Sequence, residues 1–289
     1  MTEIREITWR SADGLRLFAR DHGNAASSRL PVICIPGLTR NSRDFEEVAP
    51  FIAAMDRRVI AVDLRGRGRS DRDPNPKRYK PPTYAQDMVA LLDHLKVERA
   101  VFVGTSLGGI VTMTLAGQNL NRIGGAVLND VGPVIARAGL NRIASYAGRI
   151  PPVRSWEDAI AYAKQTGGVA FPRYTDADWA VFVRRLFKEG EGGVPIPECD
   201  PQVFQPMHPF FVWLLTPLVW GLFRKLAGAA PTLLVRGAIS DVLGTETAVR
   251  MRREAPKMAY VEVDGVGHAP MLSEPQAKVV LTRFFAEAP

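Results

Sequence analysis

A serine between two glycines is the feature of this sequence best suited to chemistry. Residues 100–103 are apolar and predict a short strand, and residues 107–119 predict a helix. Ser106 therefore lies at a sharp strand-to-helix turn, where Gly104 and Gly108 let the two elements approach closely. This is the G-x-S-x-G pattern of a nucleophile elbow. Taken alone, the pattern is equally typical of a glycine-rich turn with a helix-capping serine, so the remaining residues must decide.

A serine nucleophile needs a base within hydrogen-bond reach, because its hydroxyl is a poor nucleophile near neutral pH. Of the four histidines, His268 is the expected base. It follows a predicted strand over residues 258–263 and lies in the glycine-rich loop 264–270, just before the final helix. That location is the carboxyl edge of the sheet, where Ser106 also lies and where open α/β sheets bind ligands. His22, His94 and His208 are less favoured.

Two aspartates compete to orient the histidine. Asp241 follows the predicted strand 232–236 and gives the chain order Ser, Asp, His, so it is the favoured acid. Asp130 ends the preceding strand and would face the same site, either as the alternative acid or as a carboxylate that supports His268. Asp63 also ends a strand, but the glycine-rich loop after it indicates that it organises that loop.

Two backbone N–H groups are expected to stabilise a developing oxyanion. One belongs to Leu107, directly after the serine. The other must come from the loop after the apolar strand 32–35. Pro36 has no N–H and Gly37 permits the sharp turn, so Leu38 is the expected second donor.

The 289 residues predict an α/β fold: a mostly parallel sheet with helices on both faces. An alternating pattern over residues 3–22, with a turn at 12–14, predicts a β-hairpin that starts the sheet. Buried strands and helices then alternate up to Asn129 and resume at Thr232. Between them, only helical patterns and Pro/Gly-rich connections occur. Residues 1–131 and 231–289 are therefore expected to form the core, and residues 132–230 an all-helical cap.

The most apolar stretch of the chain lies at the end of this cap, over residues 210–223. It is too short to span a bilayer, and Pro217 interrupts it, so a buried lid helix over an apolar pocket is the preferred interpretation. The expected pocket residues are Phe210, Trp213, Trp220 and Phe223.

The net charge of +7 raises the question of nucleic-acid binding. The arginines are dispersed and no basic run is interleaved with aromatic residues, which argues against such a partner and leaves room for a modest preference for anionic substrates.

Two distant cysteines without metal-ligand spacing and an N-terminus without signal-peptide features predict a cytoplasmic protein. No metal, no cofactor and no stable membrane insertion are expected. The oligomeric state is not encoded in any recognisable pattern.

Five segments in this order resemble the α/β-hydrolase fold superfamily over essentially the whole chain. They are Ile35-Pro36-Gly37-Leu38-Thr39, Asp63-Leu64-Arg65-Gly66-Arg67-Gly68-Arg69-Ser70, Gly104-Thr105-Ser106-Leu107-Gly108-Gly109, Gly237-Ala238-Ile239-Ser240-Asp241 and Gly265-Val266-Gly267-His268. The resemblance implies an eight-stranded, mostly parallel sheet with an antiparallel start, a helical cap after the sixth strand, and a Ser106–His268–Asp241 triad. The His-Gly pair common before the oxyanion loop is Pro36-Gly37 here, so a hydrogen bond that this histidine makes is missing.

The expected activity is a cofactor-independent serine carboxylesterase that acts on small to medium apolar esters. A carbon–carbon bond hydrolase, lactonase or perhydrolase with the same triad is the alternative. The long glycine-rich oxyanion loop typical of carbon–carbon bond hydrolases is absent, and serine at the elbow argues against dehalogenases and epoxide hydrolases, which carry aspartate there. A non-catalytic receptor on this fold is disfavoured, because a receptor has no need of His268.

Overall fold

The computed structural model describes residues 4–204 and 209–289, with side chains given outside 209–213. Eight strands form one sheet in the order β1-β2-β4-β3-β5-β6-β9-β10. The first pairs, β1 with β2 and β2 with β4, are antiparallel, and the others are parallel. The predicted mostly parallel sheet with an antiparallel start is thus confirmed.

The strands of this sheet are β1 (Arg5–Arg10), β2 (Arg16–His22), β3 (Val32–Ile35), β4 (Val59–Asp63), β5 (Ala100–Thr105), β6 (Ile123–Asn129), β9 (Thr232–Gly237) and β10 (Ala259–Val263). A separate antiparallel pair is formed by β7 (Phe187–Glu189) and β8 (Pro195–Pro197). The α-helices are α1 (Val48–Ala53), α2 (Pro81–His94), α3 (Leu107–Asn119), α4 (Arg137–Tyr146), α5 (Trp156–Gly167), α6 (Asp176–Leu186), α7 (Pro209–Ala229), α8 (Thr245–Glu254) and α9 (Pro275–Glu287).

Strands β3, β4, β6 and β9 are buried along their whole length and β5 is buried up to Gly104, which explains their nearly continuous apolar sequences. Apolar residues pack on both faces of the sheet. One cluster lies against α2, α3 and α7, and the other against α1 and α9. Both faces are therefore covered, and the loops at the carboxyl ends of the strands are left to form a site.

The segment between β6 and β9 differs from the predicted all-helical cap in two ways. It contains the β7–β8 pair between α6 and α7. In addition, the second half of α7 packs against α3, and its Trp220, Phe223 and Leu226 belong to the same apolar cluster as the sheet residues. A strongly apolar helix does not reveal from its own sequence whether it covers a pocket or packs into the core, and the second half of α7 packs against α3 in the core.

A buried arginine fixes the loop that follows β4. The guanidinium of Arg65 donates to Asp87 through Nε at 2.8 Å, to Asp73 through Nη1 at 2.6 Å, and to Asp13 through Nη1 at 2.8 Å. Asp73 and Asp87 are almost completely buried. Burial raises the pKa of Asp87 to about 6 against the opposing effect of Arg65. The ion pairs thus join this loop to α2 and to the β1–β2 turn.

Replacing Arg65 with methionine is expected to lower the free energy of unfolding by about 3–5 kcal/mol, because two buried carboxylates lose their cation. The matched control is Arg16→Met, which removes an exposed pair with Asp71 and should cost about 0–1 kcal/mol. Urea unfolding followed by circular dichroism measures both. Equal losses in the two variants would show that the buried network does not hold the loop.

Candidate active site

The turn between β5 and α3 holds Ser106 in a backbone conformation that non-glycine residues rarely adopt, with φ 53° and ψ −114°. A Cβ on Gly108 would lie 2.1 Å from the carbonyl oxygen of Ile35, and one on Gly104 would lie 2.4 Å from the backbone of Gly108. Both positions therefore require glycine so that α3 can pass close to β3 and β5. The close approach holds the strained serine at the sheet edge.

Ser106 and His268 are in direct contact, as predicted. Nε2 of His268 lies 2.8 Å from Oγ of Ser106, and Nδ1 lies 2.8 Å from Oδ2 of Asp130. A carboxylate can only accept, so Nδ1 carries the proton and Nε2 accepts from the serine hydroxyl. The geometry is that of a nucleophile, a base and an orienting acid.

Asp130 reaches the histidine because β5 and β6 end at the same level. Thr105 and Asn129 are register partners, so Ser106 and Asp130 each follow the last pair of two adjacent parallel strands. Asp130 also has a positive φ of 53°. Its buried carboxylate accepts two further hydrogen bonds, from the N–H of Gly237 at 2.9 Å and from Oγ of Ser240 at 2.6 Å. Three donors therefore hold it in place.

The structure contradicts the predicted contact between Asp241 and His268. Asp241 instead accepts two hydrogen bonds from Arg142 of α4, from Nε at 2.5 Å and from Nη2 at 2.8 Å. Burial acts to raise the pKa of Asp241, but the hydrogen bonds and charge of Arg142 outweigh burial and hold it below its usual value. The alternative that the sequence left open, Asp130, occupies the position next to the histidine.

The loop after β3 lies beside the serine, and Leu38 lines the same cavity as Ser106. Among the described hydrogen bonds, the N–H groups of Leu38 and Leu107 have no acceptor. The carbonyl of Leu38 accepts a 2.9 Å bond from Nε of Arg67, a buried side chain of the loop after β4. Arg67 thus ties the loop after β3 to the loop after β4.

A cavity of about 160 Å³ opens over Ser106 and His268. Its walls are largely apolar and come from α4, α5, α6 and the β7 region, including Ile143, Tyr162, Phe171, Phe182 and Phe187. Trp220 and Phe223, which were expected here, lie in the core between α7 and α3. The side chains of Phe210 and Trp213 lie outside the described residues, as does His208.

Two charged pairs lie at the cavity, and sequence reasoning missed both. In the first pair, Arg142 lines the cavity and its partner Asp241 is not a lining residue. In the second pair, Arg40 and Asp44 both line the cavity. Isolated arginines in a helix or loop carry no local signal of such a role, since only the docking of the insertion places Arg142 there.

Within the described parts of the chain, no group of histidine, cysteine, aspartate or glutamate has the arrangement of a metal site. None of the helices described is long and apolar enough to cross a membrane.

The sheet order, the elbow and the histidine loop together define an α/β hydrolase. A sequence profile of the alpha/beta hydrolase family matches residues 32–280, and the chain belongs to this family. It is accordingly a hydrolase, and its predicted fold and family are confirmed.

The chain is similar along almost its whole length to several known proteins. It is 34% identical over 279 residues to a 3-hydroxybutyrate-oligomer hydrolase of Cupriavidus necator, and the alignment covers 94% of each chain. Esterase YbfF of Escherichia coli is 24% identical over 248 residues, 86% of this chain and 89% of that protein. The crystal structure of an α/β hydrolase from Novosphingobium aromaticivorans superimposes with a TM-score of 0.88 at 37% identity and covers 99% of both chains.

The two aspartates can be separated by isosteric substitution. Asp130→Asn is expected to lower kcat by about 10³–10⁴-fold, because the amide no longer favours the histidine tautomer that accepts from Ser106. Asp241→Asn should lower it by less than about ten-fold, since Asp241 touches Arg142 and not the histidine. Initial rates on one p-nitrophenyl ester measure both, and melting temperatures verify folding. A larger loss in Asp241→Asn would reverse the assignment.

Proposed function

We propose that this protein is a serine hydrolase that cleaves carboxylic esters through an acyl-enzyme. The observation that carries the proposal is the continuous hydrogen-bond chain from Ser106 through His268 to Asp130. In this role Asp130 replaces the expected Asp241. The strained elbow and the cavity above it support the same reaction, because they expose the hydroxyl to a bound substrate.

In the first half-reaction, Oγ of Ser106 attacks the ester carbonyl carbon while Nε2 of His268 takes the hydroxyl proton. The N–H groups of Leu38 and Leu107 donate to the oxyanion, and each such donor is worth about 10²–10³ in rate. Asp130 keeps the proton on Nδ1 and stabilises the imidazolium. His268 then protonates the leaving alcohol, and the carbonyl re-forms as a serine ester.

In the second half-reaction, His268 removes a proton from water, which attacks the serine ester. The acid leaves, and the proton returns from Nε2 to Oγ of Ser106. The proton that leaves Ser106 and returns to it passes through a pair already in hydrogen-bond contact, Oγ of Ser106 and Nε2 of His268.

The cavity favours small substrates with an apolar part. Its volume of about 160 Å³ and its aromatic walls suit a short acyl or alkyl chain. The Cupriavidus necator relative is named for oligomers of 3-hydroxybutyrate, which are chains of short hydroxy-acid units joined by esters. Short oligoesters of hydroxy acids are therefore a specific substrate class to test for this chain.

Hydrolysis of p-nitrophenyl esters from acetyl to dodecanoyl tests the proposal. The wild type should turn over the shorter esters best, and Ser106→Ala should lose at least ~10⁴-fold in kcat/KM. Release of p-nitrophenolate measures the rate, and a stoichiometric burst would report the acyl-enzyme.

The control is Ser145→Ala, a change of the same kind at an exposed serine of α4 outside the cavity lining. Turnover that persists in Ser106→Ala would exclude Ser106 as the nucleophile. A folded wild type that hydrolyses no ester would shift the assignment to carbon–carbon bond, lactone or peracid chemistry, or to ligand binding without turnover.

A further inference from the structure

Arg142 places a positive charge at the wall of the cavity. It belongs to α4, in the segment between β6 and β9, and its side chain is 17% exposed. The guanidinium lines the cavity together with Ser106 and His268, whereas its partner Asp241 is not among the lining residues. The positive end of the pair thus faces the substrate space, and the negative end lies behind it.

The guanidinium of Arg142 has one edge occupied by Asp241, and its remaining donors lie toward Tyr146 and Thr166. Nε and Nη2 donate to the two oxygens of Asp241, which fixes the plane of the group. The remaining N–H groups make a hydrogen bond with the phenol of Tyr146 and a long 3.4 Å contact from Nη1 to the carbonyl of Thr166. Two parallel N–H groups on a fixed guanidinium match the two oxygens of a carboxylate.

Tyr146 lies one turn after Arg142 on α4 and also lines the cavity. Burial raises the pKa of its phenol, and the charges of Arg142 and Arg40 partly offset this. The phenol therefore keeps its proton at neutral pH and can donate to an anion held by Arg142.

A second guanidinium belongs to Arg40, in the loop that also carries the expected oxyanion donor Leu38. A Cβ on Gly37 would lie 3.5 Å from Cγ of Arg40 and 3.8 Å from Cβ of Ser106, so the arginine stem leaves the loop beside the nucleophile. Arg40 pairs with Asp44 and stacks on Phe182 at 4.2 Å. Among the described lining residues, the side chains of Arg40, Arg142 and Asp44 are the ionic ones besides His268.

We propose that Arg142, assisted by Tyr146, binds a free carboxylate of the substrate, so that the enzyme prefers esters that carry a negative charge next to the scissile group. The proposal rests on the proposed esterase function and specifies its substrate class. It also accounts for the largely apolar cavity, because the substrate combines a short aliphatic chain with one anionic end.

The first experiment compares charged and neutral esters in matched pairs. With the carboxylate on the acyl side, the pair is 4-nitrophenyl hydrogen glutarate and 4-nitrophenyl pentanoate. With it on the alcohol side, the pair is 3-(butyryloxy)butanoate and its methyl ester. In the wild type, kcat/KM should favour the charged member of at least one pair by about ten-fold or more, the size of effect expected for one charge-assisted contact.

Three variants show whether Arg142 causes the preference. Arg142→Gln should lower the charged-to-neutral ratio of kcat/KM by about ten-fold, mainly through KM, and Arg142→Lys should restore part of it. Asp241→Asn removes the counter-ion and should keep or increase the ratio. The control Arg137→Gln makes the same charge change at an exposed position of α4 outside the cavity lining and should leave the ratio unchanged. An unchanged ratio in Arg142→Gln overturns the proposal.

A binding measurement separates this proposal from the esterase assignment. In Ser106→Ala, calorimetry should detect binding of 3-(butyryloxy)butanoate and much weaker binding of its methyl ester. Ser106→Ala/Arg142→Gln should bind both alike. Anion binding that needs Arg142 in a protein without esterase activity would support the carboxylate site while refuting the proposed reaction. Equal binding of acid and methyl ester in Ser106→Ala would refute the carboxylate site even if esters are hydrolysed. If Arg142 only ties α4 to the core, Arg142→Gln lowers the melting temperature and leaves both preferences intact.

Discussion

The close passage of α3 over β3 and β5 is the constraint on which the rest of the site depends. The backbone at Gly108 approaches the carbonyl of Ile35 so closely that no side chain fits. This contact holds the turn at Ser106 in a conformation that costs about 1–3 kcal/mol for a residue with a side chain. The buried strands around the turn stabilise this strained conformation, because relaxing the turn would move α3 away from the packed sheet. Packing therefore positions the hydroxyl of Ser106.

The orienting acid depends on the same sheet edge. Ser106 and Asp130 follow register partners of adjacent strands, and both adopt positive φ. His268 bridges them from the loop after β10, at the far edge of the sheet. Asp130 is also held by Gly237 at the end of β9 and by Ser240 just after it, so that donors from the ends of two strands, β9 and β10, converge on one carboxylate. The histidine loop is also held by the segment between β6 and β9, because the N–H of Gly267 donates to the carbonyl of Ala170 at 2.7 Å.

Local patterns were sufficient to predict the sheet and to single out Ser106 and His268, which the structure brings into contact, because each depends on an apolar strand followed by a distinctive loop. The choice between two aspartates was not predictable in this way. β6 and β9 are neighbours, and both are followed by an acid at the same edge. What separates the two is Arg142, which is 99 residues away from Asp241 in sequence and reaches it only once α4 has docked. The prediction that Trp220 and Phe223 line the pocket was wrong for a similar reason, because the sequence of a strongly apolar helix such as α7 does not show which neighbouring element it will pack against.

The ion pair of Arg142 and Asp241 links the two halves of the site. A bare carboxylate at the position of Asp241 would attract the imidazole of His268 as Asp130 does, and Coulomb attraction in a partly buried site is strong. Asp241 is paired with Arg142, and Asp130 is the carboxylate in hydrogen-bond contact with His268. The same pairing fixes the guanidinium plane and leaves its other edge toward the cavity. One interaction between α4 and the core therefore fixes a guanidinium at the cavity wall, so a different docking of α4 would change the charge that lines the cavity.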